Sequence, residues 1–180
     1  MAGQLIAVVG PSGAGKDTLI EGARAARPDL KLVRRVITRP ESAGGEDFEG
    51  ISAADFQRRL ERGDFAIHWA AHGLFYGIPA QIDDWLAEGA TVLFNGSRAA
   101  LGVARERYPG MGVLLVTAPV GVLAQRLATR GRETAADIAA RLARKTDPVP
   151  KDAVCVTNDA TPAVGTARFL AALSRLEESA

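Results

Sequence analysis

The stretch "LIAVVGPSGAGKDTLIEGA", residues 5–23, decides the fold. An apolar run at 5–9 is followed by a turn holding Gly10, Gly13 and Gly15, and then by helix-forming residues from Lys16 onward. Buried strand, glycine-rich turn, helix is the context in which G-x-x-x-x-G-K-[ST] cradles phosphate groups. The glycines let the backbone approach an anion with its N–H groups turned inward. The start of the helix adds partial positive charge, and Lys16 reaches the outer phosphates. One residue departs from the pattern. Asp17 stands where a hydroxyl normally offers a neutral oxygen to Mg²⁺. A carboxylate is also a hard oxygen ligand, so Asp17 reads either as a Mg²⁺ ligand or as an acidic residue suited to a helix's first turn. Thr18 follows one position late and is a second hydroxyl to consider.

Working outward, short runs rich in Val and Leu recur at 31–37, 91–95, 112–118 and 153–157. Helical patterns separate them at about 53–62, 79–88, 97–107, 119–130, 134–146 and 161–177. In the 134–146 helix Ile138 and Leu142 share a face. Strands buried on both sides and joined by crossover helices predict a parallel sheet between helical layers. The expected fold is α/β: a P-loop three-layer α/β/α arrangement with a five-stranded parallel core sheet, a small inserted acceptor-binding region and a helical lid. One domain covers 1–180, with its core at 1–37, 79–125 and 147–180, the insert at 38–78 and the lid at 126–146. The insert holds a hairpin around Gly73. The lid holds Arg126, Arg130, Arg132, Arg141, Arg144 and Lys145, which read either as a solvated helical face or as a cationic cover over phosphates.

The 180 residues suit one domain, and 47% hydrophobic content provides a core. A net charge of +1 gives no global field toward nucleic acid or membrane, so neither is expected as a partner. The single cysteine, Cys155, excludes a disulfide framework and points to a reducing compartment. With no signal-peptide pattern and no apolar run approaching the roughly 20 residues of a membrane helix, the expectation is a cytoplasmic protein. A monomer or homodimer is expected.

The combination "GPSGAGKDT", "VITRPESAGGED", "GLFYG" and "RLATRGRETAADIAARL" resembles guanylate-kinase-type P-loop kinases over nearly the whole chain. "GKD", the "ITR" with its following "SAG", and "NGSR" (95–98) look more like ribose 1,5-bisphosphate phosphokinases, relatives that serve phosphonate degradation. The resemblance implies ATP as phosphoryl donor, Mg²⁺, and a small sugar phosphate as acceptor. It implies ATP contacts from Gly10, Pro11, Ser12, Gly13, Ala14, Gly15, Lys16, Asp17 and Thr18, with Arg126 and Arg132 beside them. Lys16, Arg130 and Arg141 match the groups that stabilise the moving phosphoryl group. Acceptor contacts fall on Arg35, Arg39, His68, Tyr76, Asn95 and Arg98, and the metal on Asp17 or Thr18.

The departures from guanylate kinase bear on the acceptor. Where that family reads guanine with two acids, this chain has His68 in "FAIHWAA" and Asn95 in "LFNGSR". Neither replaces a carboxylate as acceptor of guanine's N–H donors, so GMP is disfavoured. Ser42 takes the place of a second phosphate-binding Arg, while Arg98 is a new cation. Another small-metabolite or nucleoside monophosphate kinase, and an inactive binding module on the same scaffold, are the competing readings.

The remaining chemistry-bearing residues have plain readings. His68 and His72 fall on one strand face without a third metal ligand. Trp69 and Trp85 read as packing residues, and Cys155 as a buried small hydrophobe. Asp83 and Asp84 belong to an exposed helix face. Glu46 and Asp47 of "GGED" read as solvated loop charges or as ligands of acceptor hydroxyls or Mg²⁺.

Overall fold

The computed structural model describes residues 3–129, 134–143 and 148–179, with Arg141 described by its backbone alone. The central strand β1 (Gln4–Val9) carries the first apolar run. It lies in a five-stranded, all-parallel sheet with β2 (Lys31–Leu32), β7 (Thr91–Asn95), β8 (Gly112–Thr117) and β9 (Val154–Thr157), in the order β2-β7-β1-β8-β9. Both faces of this sheet are covered, as the continuous hydrophobic strands require. On one face Ile6, Val8, Leu93, Leu114 and Val116 pack against α1 (Lys16–Ala26), α5 (Val120–Thr129) and α7 (Pro162–Glu178). On the other, Leu5, Ala7, Val9, Val92, Phe94 and Val113 meet α3 (Ile82–Ala87) and α4 (Leu101–Arg107). In α6 (Ala135–Ala143), Ile138 is buried and Leu142 packs onto the first face, the shared stripe their spacing predicts.

A second sheet, in the order β4-β3-β6-β5, comprises β3 (Arg35–Ile37), β4 (Phe48–Gly50), β5 (Phe65–Ala71) and β6 (Leu74–Pro79). It shares the second face's core through Ala66, Ile67, Trp69 and Ile78. A small satellite core of Val36, Phe56 and Phe65 fixes α2 (Ala53–Glu61) to it. The expected strand 31–37 is therefore two strands. Val33 makes the last bond to the core sheet, N–H to the Leu93 carbonyl at 2.9 Å, and the chain then crosses so that Arg35 starts the second sheet. The helix expected from 79 begins at Ile82, because the β6 ladder runs through Pro79.

The β5–β6 hairpin turns on His72 (φ 53°) and Gly73 (φ 74°), both in the left-handed region, as a two-residue turn requires. His72 is thus in the turn, and does not share a strand face with His68. Cys155 is exposed: β9 is an edge strand whose Val154 and Val156 serve the core, and Cys155 points the other way at the open edge of the sheet.

Candidate active site

β1 is flanked by β7 and β8, and the connections that leave those strands diverge, so a crevice opens at their carboxyl ends. The glycine turn sits there. Gly10 (φ 155°) lies so close to β8 that a Cβ would stand 2.0 Å from the Val116 carbonyl oxygen. Gly15 (φ 84°) caps α1 without any side-chain hydrogen bond. By contrast Ser52 and Thr161 cap α2 and α7 through their hydroxyls. With no side chain capping it, the start of α1 suits an anion. Lys16 folds over the turn, its Nζ donating to the Gly10 carbonyl at 2.9 Å.

The loop is braced from behind by two residues. Arg126 donates to the carbonyls of Gly13 (3.3 Å), Ala14 (3.4 Å) and Asn158 (2.9 Å). Asn158, 5% exposed, donates its side-chain amide to the Ala14 carbonyl at 2.8 Å. Arg126, read from sequence as an ATP contact, here bonds two carbonyls of the loop and that of Asn158. Asn158 was not legible, since a single Asn after a strand has no distinguishing spacing.

One cavity of about 800 Å³ joins the loop to the second sheet. Gly10, Pro11, Ser12, Gly13, Gly15, Lys16 and Asp17 form one wall. Across from them lie Arg35, Arg39, Glu46, Trp69, His72 and Tyr76, and Asn95, Ser97 and Arg98 close the end of β7. Of the predicted residues, Ala14 is buried behind the loop. Thr18 is exposed and outside the lining, because it follows Asp17 around the helix. His68 is likewise exposed and outside the lining, since strand alternation turns its neighbour Trp69 to the cavity instead. Trp69, read as packing, is buried, lines the cavity and stacks on Tyr76 at 5.1 Å. Trp85 does pack against the core. Arg130 and Arg132 lie outside the described residues, as does the Arg141 side chain, whose backbone is in α6.

The electrostatics of the walls differ. Asn95, expected to contact the acceptor, lines the cavity and donates to Asp17 Oδ1 at 3.0 Å, holding that carboxylate. Arg35, 7% exposed, makes a two-pronged ion pair with Glu46, with Nε to Oε2 at 2.9 Å and Nη2 to Oε1. Its guanidinium also lies 5.2 Å from the Tyr76 ring centre and 5.9 Å from that of Trp69. Arg39 stacks on Phe48 at 4.5 Å and donates to the Gly44 carbonyl. Its Nε, with Trp69 Nε1 and Ser97 Oγ, is buried with no partner among the described residues. Buried donors of this kind are normally paired, so these suit an oxygen-rich ligand.

No protein-family model matches the chain. Individual relatives match strongly. A protein of Acidiphilium cryptum strain JF-5 named ribose 1,5-bisphosphate phosphokinase is 51% identical over 180 residues, covering 98% of this chain and 96% of that protein. The chain belongs to the ribose 1,5-bisphosphate phosphokinase family. A bifunctional ribose 1,5-bisphosphokinase-thymidine phosphorylase of Azorhizobium caulinodans is 51% identical over 177 residues, covering 96% of this chain. The chain spans 26% of that relative's length. Among solved structures, guanylate kinase from Anaplasma phagocytophilum matches with a TM-score of 0.68 at 18% identity, over 97% of this chain and 86% of that one. This confirms the expected α/β P-loop fold. Among the described residues no helix is long and apolar enough to cross a membrane.

Proposed function

We propose that the protein transfers the γ-phosphoryl group of ATP to the 1-phosphate of ribose 1,5-bisphosphate, giving 5-phosphoribosyl 1-diphosphate and ADP. The observation that carries the reading is one cavity shared by the phosphate loop and three arginines, Arg35, Arg39 and Arg98. A base-free acceptor with two phosphates needs such cations, and relatives named ribose 1,5-bisphosphate phosphokinase point to this class. An oxygen of the 1-phosphate attacks the γ-phosphorus as the bond to the bridging oxygen of ADP breaks. With a second pKa near 6, the attacking oxygen is already ionised at neutral pH and no general base is needed. Catalysis then consists of in-line positioning and charge neutralisation. The loop amides and Lys16 hold the β and γ phosphates, while Arg126 and Asn158 keep the loop in shape. Arg130, Arg132 and Arg141 belong to the proposed lid, 126–146, whose closure excludes water.

Asp17 fits Mg²⁺. It is a hard oxygen donor at the loop, held by Asn95, and no cluster of three or more acidic, His or Cys ligands occurs among the described residues. That donor set suits an ion bound by one carboxylate, nucleotide phosphates and water. When bound, Mg²⁺ neutralises charge on the transferring phosphates. We place the protein in the cytoplasm, acting as a monomer or homodimer.

A coupled ADP-release assay across ribose 1,5-bisphosphate, GMP, AMP and gluconate tests the reading. Turnover is expected with the sugar bisphosphate and at least tenfold lower kcat/KM with the others. GMP turnover at a comparable kcat/KM overturns it.

A further inference from the structure

We propose that Glu46 reads the ring hydroxyls of the acceptor sugar and so sets the enzyme's preference for a ribose over a deoxyribose. This rests on the kinase reading above. The cavity's side chains sort by hydrogen-bond character. Lys16, Arg35, Arg39, Arg98 and the Trp69 indole only donate, which suits phosphate oxygens. A sugar hydroxyl also brings a proton, and that proton needs an acceptor. Two carboxylates line the cavity, Asp17 and Glu46. Asp17 belongs to the phosphate-loop wall and takes a bond from Asn95. Glu46 stands on the acceptor wall.

Its setting is built from both sides. Arg35 gives one N–H to each Glu46 oxygen, and the rings of Tyr76 and Trp69 hold that guanidinium in turn. The segment carrying Glu46 is tied down by Arg39 Nη2 on the Gly44 carbonyl (3.1 Å) and Arg34 Nε on Asp47 Oδ1 (2.9 Å). Asp47 is the solvated loop charge, its side chain 83% exposed; that of Glu46 is only 17% exposed. A carboxylate has about four lone-pair positions, and Arg35 occupies two. The other two are the outward-facing positions, one on each flank of a rigidly held group, and each can accept from a sugar hydroxyl. A site built to bond a hydroxyl rejects the analogue that lacks it, because its own polar group is left unpaired.

The test compares wild type and Glu46→Gln with ribose 1,5-bisphosphate and 2-deoxyribose 1,5-bisphosphate. Gln keeps the size and one acceptor toward Arg35. Wild type is expected to favour the ribose substrate by roughly 10- to 100-fold in kcat/KM, the range of a hydrogen bond to a charged group. Glu46→Gln is expected to bring the ratio within about threefold, with the loss concentrated in the ribose substrate. A wild type indifferent to the 2-hydroxyl, or a variant that loses both substrates by the same factor, overturns the proposal. The same four pairings are measured as calorimetric Kd values. If wild type turns over neither sugar, the kinase reading falls, and equal Kd values for the two sugars still overturn the role of Glu46, while a ribose preference lost in Glu46→Gln sustains it.

Discussion

Asn158→Ala should loosen the phosphate loop without touching a ligand. The Asn158 side-chain amide bonds the Ala14 carbonyl at 2.8 Å, its N–H bonds the Thr117 carbonyl at 2.7 Å, and its carbonyl takes Arg126 Nη2 at 2.9 Å. Gly15 and Gly165 each approach it so closely that a Cβ would lie 2.5 Å from its amide group. Truncation leaves the Ala14 carbonyl, in a residue of 0% exposure, with only the long 3.4 Å contact to Arg126. A typical hydrogen bond contributes about 1 kcal/mol net, and a stranded buried carbonyl costs about 1–3 kcal/mol. A loss of about 2–3 kcal/mol follows, or a fall in Tm of about 4–12 °C for a chain of this size. Thermal unfolding measures it, and calorimetry should show ATP affinity falling several-fold as the loop amides lose their alignment. Asn158→Asp is the sharper variant. Its carboxylate would face the Ala14 carbonyl unfavourably, and burial would raise its pKa, whereas the protonated acid can still donate. Its deficit against wild type should be small near pH 4 and grow as pH rises toward 7. A wild-type Tm and wild-type ATP affinity in Asn158→Ala would refute the bracing role.

Asp17→Ser should keep the fold and ATP binding but move the Mg²⁺ dependence of turnover, and of calorimetric ATP binding, to higher Mg²⁺. Unchanged dependence and rate would reduce Asp17 to a helix-start residue. Tyr108 donates to Asp83 Oδ1 at 2.6 Å, and burial first, then that bond, pushes its pKa up to about 12 from the usual 10. The raised pKa means that its stabilisation is complete below pH 10 and is lost as pH rises toward 12. Tyr108→Phe should therefore unfold more easily at neutral pH yet show a flatter decline over that alkaline window; parallel urea-midpoint curves for the two proteins would contradict this.

The parallel core was legible because its strands are buried on both faces and so read as unbroken apolar runs. The phosphate loop was legible because glycine spacing and Lys16 are local features. What failed was whatever depended on which way a side chain faces at a strand or sheet boundary. Residues 31–37 look like one strand, yet the chain changes sheets between Val33 and Arg35, and composition is silent about that crossing. His68 points to solvent while its neighbour Trp69 packs in the core and also lines the cavity, because adjacent strand residues face opposite sides. Cys155 reads as buried by residue type, and only the edge position of β9 exposes it. Glu46 was an ambiguous loop charge until its ion pair with buried Arg35 was seen.

Asp17 and Asn95 are best understood as one unit. By resemblance, guanylate kinases carry an acid where this chain has Asn95, and a hydroxyl residue where it has Asp17. In this fold the two side chains meet at 3.0 Å. With no cation between them, an acid at 95 would there face the Asp17 carboxylate, a like-charge contact costing on the order of 5–6 kcal/mol at an effective dielectric of about 20. One of the pair would be forced to hold a proton, removing a charge from the phosphate end of the cavity. The amide avoids this and donates to Asp17, orienting it. A carboxylate at 17 therefore disfavours an acid at 95. On this account the unusual loop residue and the lost guanine contact have one cause. The residue pair that departs from the pattern at the phosphate loop thus also departs from it at one of the two base-reading positions, and Glu46 is the other carboxylate lining the cavity.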